Sequence, residues 1–183
     1  MMAQVSLPQI EIDNLVKLFS QGRIQDVIDK IQVLNINYHN VPLLSNMLGV
    51  CHKNLGNLVL AAKMFENAIS LNPNYAEAFI NRGLIHLSKE DKVAALVDFE
   101  SAYELKPYMK QIWGFVISLK IEFKQFAGAI QLLTAMTTSD PTNEKNFAKM
   151  GLCHQHLAEY EKAIEAYNKA LEIKPDYAEA YNN

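Results

Sequence analysis

Residues 72–81 read NPNYAEAFIN and residues 174–183 read KPDYAEAYNN, so one short stretch nearly recurs in the chain. The two copies lie 102 residues apart, which is three times 34. The six prolines keep the same interval: Pro73, Pro107, Pro141 and Pro175 form one series, and Pro8 and Pro42 form another. A fixed period of this length is typical of a repeat architecture.

The period divides the chain into five units and the beginning of a sixth, with the late proline at position 32 of a unit. The units are 8–41, 42–75, 76–109, 110–143 and 144–177, followed by the partial unit 178–183. Within a unit, apolar residues recur at three- and four-residue spacing in two segments that are broken near positions 14–16. This pattern predicts two amphipathic helices per unit, and the proline then ends the second helix.

Small residues and one aromatic residue follow the same period. In the unit 76–109, Gly83 at position 8 and Ala95 at position 20 allow the two helix backbones to approach each other. Phe99 at position 24 then fills the space beside them. We therefore expect each unit to be a closely packed pair of helices.

These columns recur fully in three of the five units and partly in a fourth. Position 8 carries Gly49, Gly83 and Gly151; position 20 carries Ala61, Ala95, Ala129 and Ala163; position 24 carries Phe65, Phe99, Leu133 and Tyr167; position 27 carries Ala68, Ala102, Met136 and Ala170. The pattern resembles the tetratricopeptide repeat family over almost the whole chain. The resemblance implies an all-α fold, a right-handed α-solenoid of helix-turn-helix repeats in a single array over residues 1–183, and it says little about the ligand.

Two units depart from the pattern. In 8–41 larger or different residues replace the usual ones, namely Leu15, Val27, Leu34 and, at the proline position, His39. We expect this atypical first unit to cap the stack. In 110–143 Ile117 replaces glycine and Met136 replaces alanine, which predicts more widely separated helices and altered packing near Trp113.

The partial unit 178–183 is too short to form a helix by itself, because helix nucleation is costly. It also leaves the apolar face of the preceding helix without a complete neighbour. We therefore expect the chain to be the N-terminal part of a longer protein, with a short natural terminus as the alternative.

Composition argues against several classes of function. The formal net charge is −3 and the charges are mixed along the chain, so a nucleic-acid partner is disfavoured. The longest apolar runs, such as residues 112–117, fall well short of the roughly 20 residues that span a bilayer. With no secretory signal and only two cysteines, a cytoplasmic location is the expectation.

Histidine and cysteine are the residues that could carry chemistry. His52, His86 and His154 share position 11, but successive units stack at roughly 10 Å, too far apart for two histidines to bind one ion. Cys51 and Cys153 share position 10 and are three units apart, so they are predicted to be buried and unpaired. We therefore predict no metal site, no cofactor and no catalytic residue in this segment.

The remaining candidate is a surface for a partner. In the family that the chain resembles, positions 2, 5, 6, 9, 12 and 13 of the first helix line a concave groove. In this chain those positions give Asn46, Met47, Val50, Lys53, Ile80, Asn81, Leu84, Leu87, Phe115, Ser118, Ile121, Lys145, Lys149, Leu152 and Gln155. The predicted groove is apolar, which suits a peptide segment, although neighbouring helices covering these side chains is the alternative.

Two known ligand sites of the family are matched only in part. Asn81, Lys145 and Lys149 have residue types found in the carboxylate clamp for chaperone tails, but they do not lie in consecutive units. Asn81 and Asn183 match the asparagine ladder of O-linked N-acetylglucosamine transferases, whereas Met47, Phe115 and Lys149 do not. We therefore expect the clamp to be absent and the ladder to be incomplete.

Three functions follow as hypotheses. The leading one is a scaffold that holds a protein or peptide segment in the apolar groove. The second is the recognition region of a larger, glycosyltransferase-like enzyme whose catalytic domain is not in this segment. The third is self-assembly through the uncapped C-terminal end, which would make a homo-oligomer.

Overall fold

The computed structural model describes residues 6–182, and within that range the chain is all-α with eleven helices. The helices are α1 (Gln9–Ser20), α2 (Ile24–Asn37), α3 (Pro42–Asn54), α4 (Leu58–Leu71), α5 (Ala76–Ser88), α6 (Lys92–Leu105), α7 (Lys110–Glu122), α8 (Phe126–Ser139), α9 (Glu144–His156), α10 (Tyr160–Ile173) and α11 (Ala178–Asn182). Each full predicted unit therefore holds two helices, broken where the sequence predicts. No helix of this part of the chain is long and apolar enough to cross a membrane.

The helices belong to two compact units. The N-terminal unit ends at Tyr108 and contains α1 to α6, and the C-terminal unit begins at Met109 and contains α7 to α11. We call the odd-numbered helices the first helices of their repeats and the even-numbered helices the second helices.

One residue in the left-handed region of φ turns the chain between the two helices of every repeat. At position 15 this residue is Gly22, Gly56, Glu90, Lys124 or Ala158, with φ between 58° and 76°. The next backbone N–H then donates to the carbonyl five residues earlier, as from Asp91 to His86 at 3.0 Å. This Schellman turn satisfies the end of the first helix and brings positions 11 and 16 together.

The predicted pairing of a small residue with an aromatic one is confirmed. Phe99 and Phe65 are fully buried, and each ring lies directly against the glycine at position 8 of its own repeat. A Cβ atom added to Gly83 would lie 2.9 Å from Cε1 of Phe99, closer than real Cβ contacts. Glycine is therefore required there because the ring occupies the space that any side chain would need.

The repeat 110–143 packs differently, as its sequence predicts. Ile117 and Leu133 are both buried in place of a glycine and an aromatic ring, and Trp113 is buried nearby. The helices α7 and α8 lie less closely together than α5 and α6 do. Ile117 therefore fills space that glycine leaves to an aromatic ring in other repeats.

Both ends of the described chain have particular features. On α1 the polar residues Asp13, Asn14 and Lys17 are exposed, and so are the apolar residues Ile10 and Val16, at 64% and 55%. At the other end, α11 does form a short helix, because Ala180 is buried against α10. Asn183, which the sequence assigns to the asparagine ladder, lies outside the described residues.

Candidate functional site

The predicted groove residues fall into one set in each compact unit, and all of them lie on first helices. On α3 and α5 they are Asn46, Met47, Val50, Lys53, Ile80, Asn81, Leu84 and Leu87; on α7 and α9 they are Phe115, Ser118, Ile121, Lys145, Lys149, Leu152 and Gln155. The first set is mainly apolar and half-buried, whereas the second is more polar and more exposed.

An apolar pocket of about 160 Å³ lies on the first helices of the N-terminal unit. It is lined by Phe19 from α1 and by Met47 and Val50 from α3, all of them half-buried. Met47 and Val50 were predicted from the sequence, but Phe19 was missed because the unit 8–41 was interpreted only as a cap. Phe19 occupies position 12 of that unit, so the same column would have identified it.

A hydrogen-bonded polar group joins α3 to α5 beside this pocket. Asn81 Nδ2 donates to Asn46 Oδ1 at 3.0 Å, and Asn46 itself is buried. Asn46 is also hydrogen-bonded to Tyr75, whose pKa is raised by burial and by the charge of Glu77 despite that bond. The structure therefore places Asn46 beneath the surface, where it orients Asn81, and leaves the neighbouring apolar residues Ile80 and Leu84 half-buried on α5.

We call the surface formed by Phe19, Met47, Val50, Ile80, Leu84 and Leu87 the first-helix face of the N-terminal unit. Lys53 lies at position 12 of the repeat 42–75, the position that Phe19 holds in the repeat 8–41, and is half-buried. A ligand on this face would meet an apolar floor together with the one amide that Asn46 holds in place. Methionine adapts well to apolar ligands of differing shape.

The predicted residues of the C-terminal unit do not form a comparable apolar surface. Phe115 is 39% exposed, and Ser118, Lys145 and Gln155 are exposed. Gln155 Oε1 accepts a hydrogen bond from the hydroxyl of Tyr167 at 3.1 Å. Ile121, Lys149 and Leu152 are half-buried. This set therefore mixes three apolar residues with two lysines, a serine and a glutamine.

Two of the three histidines at position 11, His86 and His154, lie close to the acidic residue at position 16 of their own repeat. His154 Nδ1 lies 2.6 Å from Glu159 Oε2, and His86 Nδ1 lies 3.9 Å from Asp91 Oδ2. The hydrogen bond from His154 is the main reason that the pKa of Glu159 is lowered. The Schellman turn explains this spacing, which is not a helical one, and each pair links the two helices of its repeat.

The two cysteines are buried, as predicted, and are free thiols. Burial raises the pKa of Cys51 and of Cys153 to about 11, so both thiols are protonated near neutral pH. A protonated thiol is a weak nucleophile and a weak metal ligand. Among residues 6–182, no group of three His, Cys, Asp or Glu side chains is arranged to hold a metal ion.

Comparison with known proteins gives the family. Two models described as tetratricopeptide repeat match residues 47–110 and 147–177, which together make up just over half of the chain. The chain belongs to the tetratricopeptide repeat family. Proteins of this family generally mediate protein–protein interactions.

Two curated relatives match at low identity. The chain is 22% identical over 176 residues to anaphase-promoting complex subunit 3 of Schizosaccharomyces pombe, covering 91% of this chain and 26% of that protein. It is 22% identical over 143 residues to a DnaJ homolog subfamily C member 7 homolog of Dictyostelium discoideum, covering 69% of this chain and 26% of that protein. The chain spans about a quarter of the length of these relatives, so the expected catalytic domain elsewhere in a larger transferase stays a prediction.

Solved tetratricopeptide repeat structures share the fold. YrrB, described as a protein with an unusual peptide-binding site, superimposes with a TM-score of 0.73 at 20% identity, covering 94% of this chain and 89% of that one. MamA from Desulfovibrio magneticus RS-1 gives a TM-score of 0.67 at 17% identity, covering 96% and 99%. At such identities the likeness concerns the fold alone.

Proposed function

We propose that this chain binds a partner polypeptide on the first-helix face of its N-terminal unit. The observation that carries the proposal is the apolar pocket lined by Phe19, Met47 and Val50. An apolar side chain of the partner enters this pocket and removes apolar surface from water, while neighbouring residues of the segment lie along Ile80 and Leu84. Few convergent polar groups and a mainly apolar lining are the usual properties of a ligand pocket.

The family and one structural relative support this proposal. Tetratricopeptide repeat proteins generally bind other polypeptides, and YrrB is described as having a peptide-binding site. The lining supports a side chain such as leucine, methionine or phenylalanine, because Phe19, Met47 and Val50 offer no charge to pair with an ionised one.

An array of immobilised peptides tests the proposal. Peptides that wild-type protein captures are measured again with Met47→Asp, Leu84→Asp and Phe115→Asp. We expect Met47→Asp to weaken binding by about a hundredfold, since it places a charge in the apolar pocket. Phe115→Asp, in the C-terminal unit, distinguishes binding by the first unit alone from binding by both.

The matched control is Val59→Asp on α4, because Val59 is 63% exposed and lies outside the pocket. It adds the same charge to the protein without touching the first-helix face. Binding that is equal in Met47→Asp, Leu84→Asp and Val59→Asp would refute the proposed site.

Self-association is a second candidate function, favoured by a pocket of about 360 Å³ at the end of the C-terminal unit. Tyr160, Ile164 and Leu171 of α10 line it, and Ile164 is 59% exposed. In a two-fold dimer each copy would cover the pocket of the other with its own α10, which removes Ile164 from water.

Light scattering over a concentration series tests this second candidate. We expect a concentration-dependent dimer that Ile164→Asp converts to a monomer, with Val59→Asp again as control. A wild-type protein that stays monomeric at every concentration would exclude association through α10.

A further inference from the structure

A second groove of the N-terminal unit lies between the first helix α3 and the second helices α2 and α4. It is formed by α2, α3 and α4 and has a volume of about 270 Å³. Leu48 and Met64 contribute apolar lining, and Asn35, Ser45 and Asn67 contribute polar lining. We call this space the second-helix groove. It shares no lining residue with the pocket of Phe19, Met47 and Val50.

The equivalent positions of the next repeat are occupied by an ion pair. Leu48 and Met64 stand at positions 7 and 23, where the repeat 76–109 has Arg82 and Asp98. Arg82 Nη2 and Nε donate to the two carboxylate oxygens of Asp98 at 2.7 and 3.0 Å, and Asp98 is 2% exposed. In the repeat 76–109 an ion pair therefore fills these two positions. In the repeat 42–75 the apolar side chains of Leu48 and Met64 line an open groove instead.

The C-terminal unit repeats the open arrangement. In the repeat 144–177, positions 7 and 23 are Met150 and Ala166, and both line a cavity of about 260 Å³ between α8, α9 and α10. That cavity also has Lys162, Glu165 and Lys169 in its lining. An uncharged amide lining therefore distinguishes the second-helix groove of the N-terminal unit.

A hydrogen bond positions two of the polar side chains of the second-helix groove, Asn67 and Ser45. Asn67 Nδ2 donates to Ser45 Oγ at 2.8 Å, and Ser45 is buried. The bond turns the carbonyl oxygen of Asn67 away from Ser45. Carboxamides carry both a donor and an acceptor, as does the peptide group, so Asn35 and Asn67 match the hydrogen-bonding needs of an extended backbone.

The charge of the lining restricts what can enter. The groove is lined by no Asp, Glu, Lys or Arg, and its single titratable residue, His39, is exposed. An ionised side chain moved into it would lose water without gaining a counter-charge, which is costly. An apolar side chain would instead pack on Leu48 and Met64, since methionine adapts to differing shapes.

We propose that the second-helix groove is a second polypeptide-binding site, which takes an uncharged extended segment with one apolar side chain at its centre. The apolar side chain packs on Leu48 and Met64, and the backbone on either side hydrogen-bonds to Asn35 and Asn67. This site is separate from the first-helix face, so one chain can hold two segments.

The methionines provide separate reporters for the two sites. Met64 lies in the second-helix groove and Met47 lies in the first-helix pocket. Protein labelled with ¹³C at the methionine methyl groups is titrated with capped ten-residue peptides of Ser, Gly and Gln that carry one central Leu, Met or Phe. We expect such peptides to shift the Met64 resonance, and peptides with a central Asp or Lys to leave it unchanged.

The chain itself suggests the variant that closes the groove. Leu48→Arg combined with Met64→Asp installs the pair that the next repeat uses at the same positions, and labelled peptide is then measured by fluorescence anisotropy. We expect binding to weaken by at least about tenfold, because the pair occupies the place of the apolar side chain. Asn67→Ala leaves the apolar lining of Leu48 and Met64 unchanged. It should weaken peptide binding by about fivefold through the lost hydrogen bond.

Val59→Asp should bind as wild type does, because Val59 lies on α4 outside the groove. The proposal is overturned if no uncharged peptide shifts the Met64 resonance, or if peptides with a charged centre shift it equally. It is also overturned if Asn67→Ala binds the shifting peptides as tightly as wild type does, a result that holds whether or not the double variant folds.

Discussion

The repeats 76–109 and 110–143 join their two helices with different side chains at the same positions. At positions 8 and 24 the first repeat pairs Gly83 with the buried ring of Phe99. The second repeat has Ile117 and Leu133 at these positions, and both are buried. A small and a large residue in one repeat therefore correspond to two residues of middle size in the other.

The same two repeats differ at positions 7 and 23. The first has the Arg82–Asp98 ion pair, whereas the second has Val116 and Leu132, which are 0% and 4% exposed. In both repeats the partners match each other, in charge or in apolar character. The comparison indicates that the two residues suit each other in size or in polarity within each of these repeats, although the pair itself differs between the repeats.

The largest loss of stability is expected when Ile117 is replaced by a small residue while Leu133 is left unchanged. Ile117→Gly should lower the free energy of unfolding by about 4 kcal/mol, because it leaves a cavity against Leu133 and adds a glycine to a helix. Urea denaturation followed by circular dichroism measures the loss. Ser118→Gly, at the next and exposed position of α7, is the control, and should lose only about 1 kcal/mol. Equal losses would show that the cavity is unimportant.

The reverse change sharpens the comparison. Gly83→Ile should cost about 3 kcal/mol, because the new side chain meets the ring of Phe99. Adding Phe99→Leu creates in this repeat the pair that 110–143 uses, and we expect it to restore at least half of the lost stability in the same urea experiment. If the double variant is no more stable than Gly83→Ile alone, a smaller side chain at position 24 does not compensate for a larger one at position 8.

The ion pair allows a matched test of polarity. Asp98→Leu should lower the free energy of unfolding by about 2 kcal/mol, because Arg82 loses its buried partner. The double variant Arg82→Val with Asp98→Leu imitates 110–143 and should lie within about 1 kcal/mol of wild type. If the double variant is as unstable as the single one, the ion pair itself stabilises this contact, and an apolar pair cannot replace it.

The sequence was sufficient to predict the helix pairs, their breaks and the looser packing near Ile117, because each follows from spacing or side-chain size within a column. Phe19 was missed although its position was informative, because its unit was treated as a cap. The pairs at positions 11 and 16 were missed for a physical reason, since a five-residue spacing brings side chains together only through a left-handed turn.

The second-helix groove was also not foreseen. It depends on Leu48 and Met64 standing where Arg82 and Asp98 stand in the next repeat, and the members of each pair lie on different helices. Comparing the repeats in sequence gives the residue type at each position. A groove depends on which positions of different helices face each other. That knowledge requires the packed structure.

The smallest effect is expected at positions 11 and 16 of the repeat 144–177. The hydrogen bond from His154, aided by Lys162, lowers the pKa of Glu159. A carboxyl group with a lowered folded pKa stabilises the protein above its unfolded pKa of about 4.3, and that contribution disappears as the pH falls through the folded pKa. Glu159→Gln should therefore lower Tm slightly near neutral pH, and the difference from wild type should vanish in acid.

Thermal denaturation at a series of pH values measures this difference, with Glu172→Gln as the control for an exposed carboxylate near the other end of α10. The repeat 110–143 has Lys120 and Gln125 at these positions, with Lys120 Nζ donating to Gln125 Oε1 at 3.3 Å. Its link has an uncharged acceptor, so Gln125→Ala should lower Tm by an amount that does not change between neutral and acid pH. If the Glu159→Gln difference is just as constant, the His154–Glu159 contact acts through packing and not through the charge of the carboxylate.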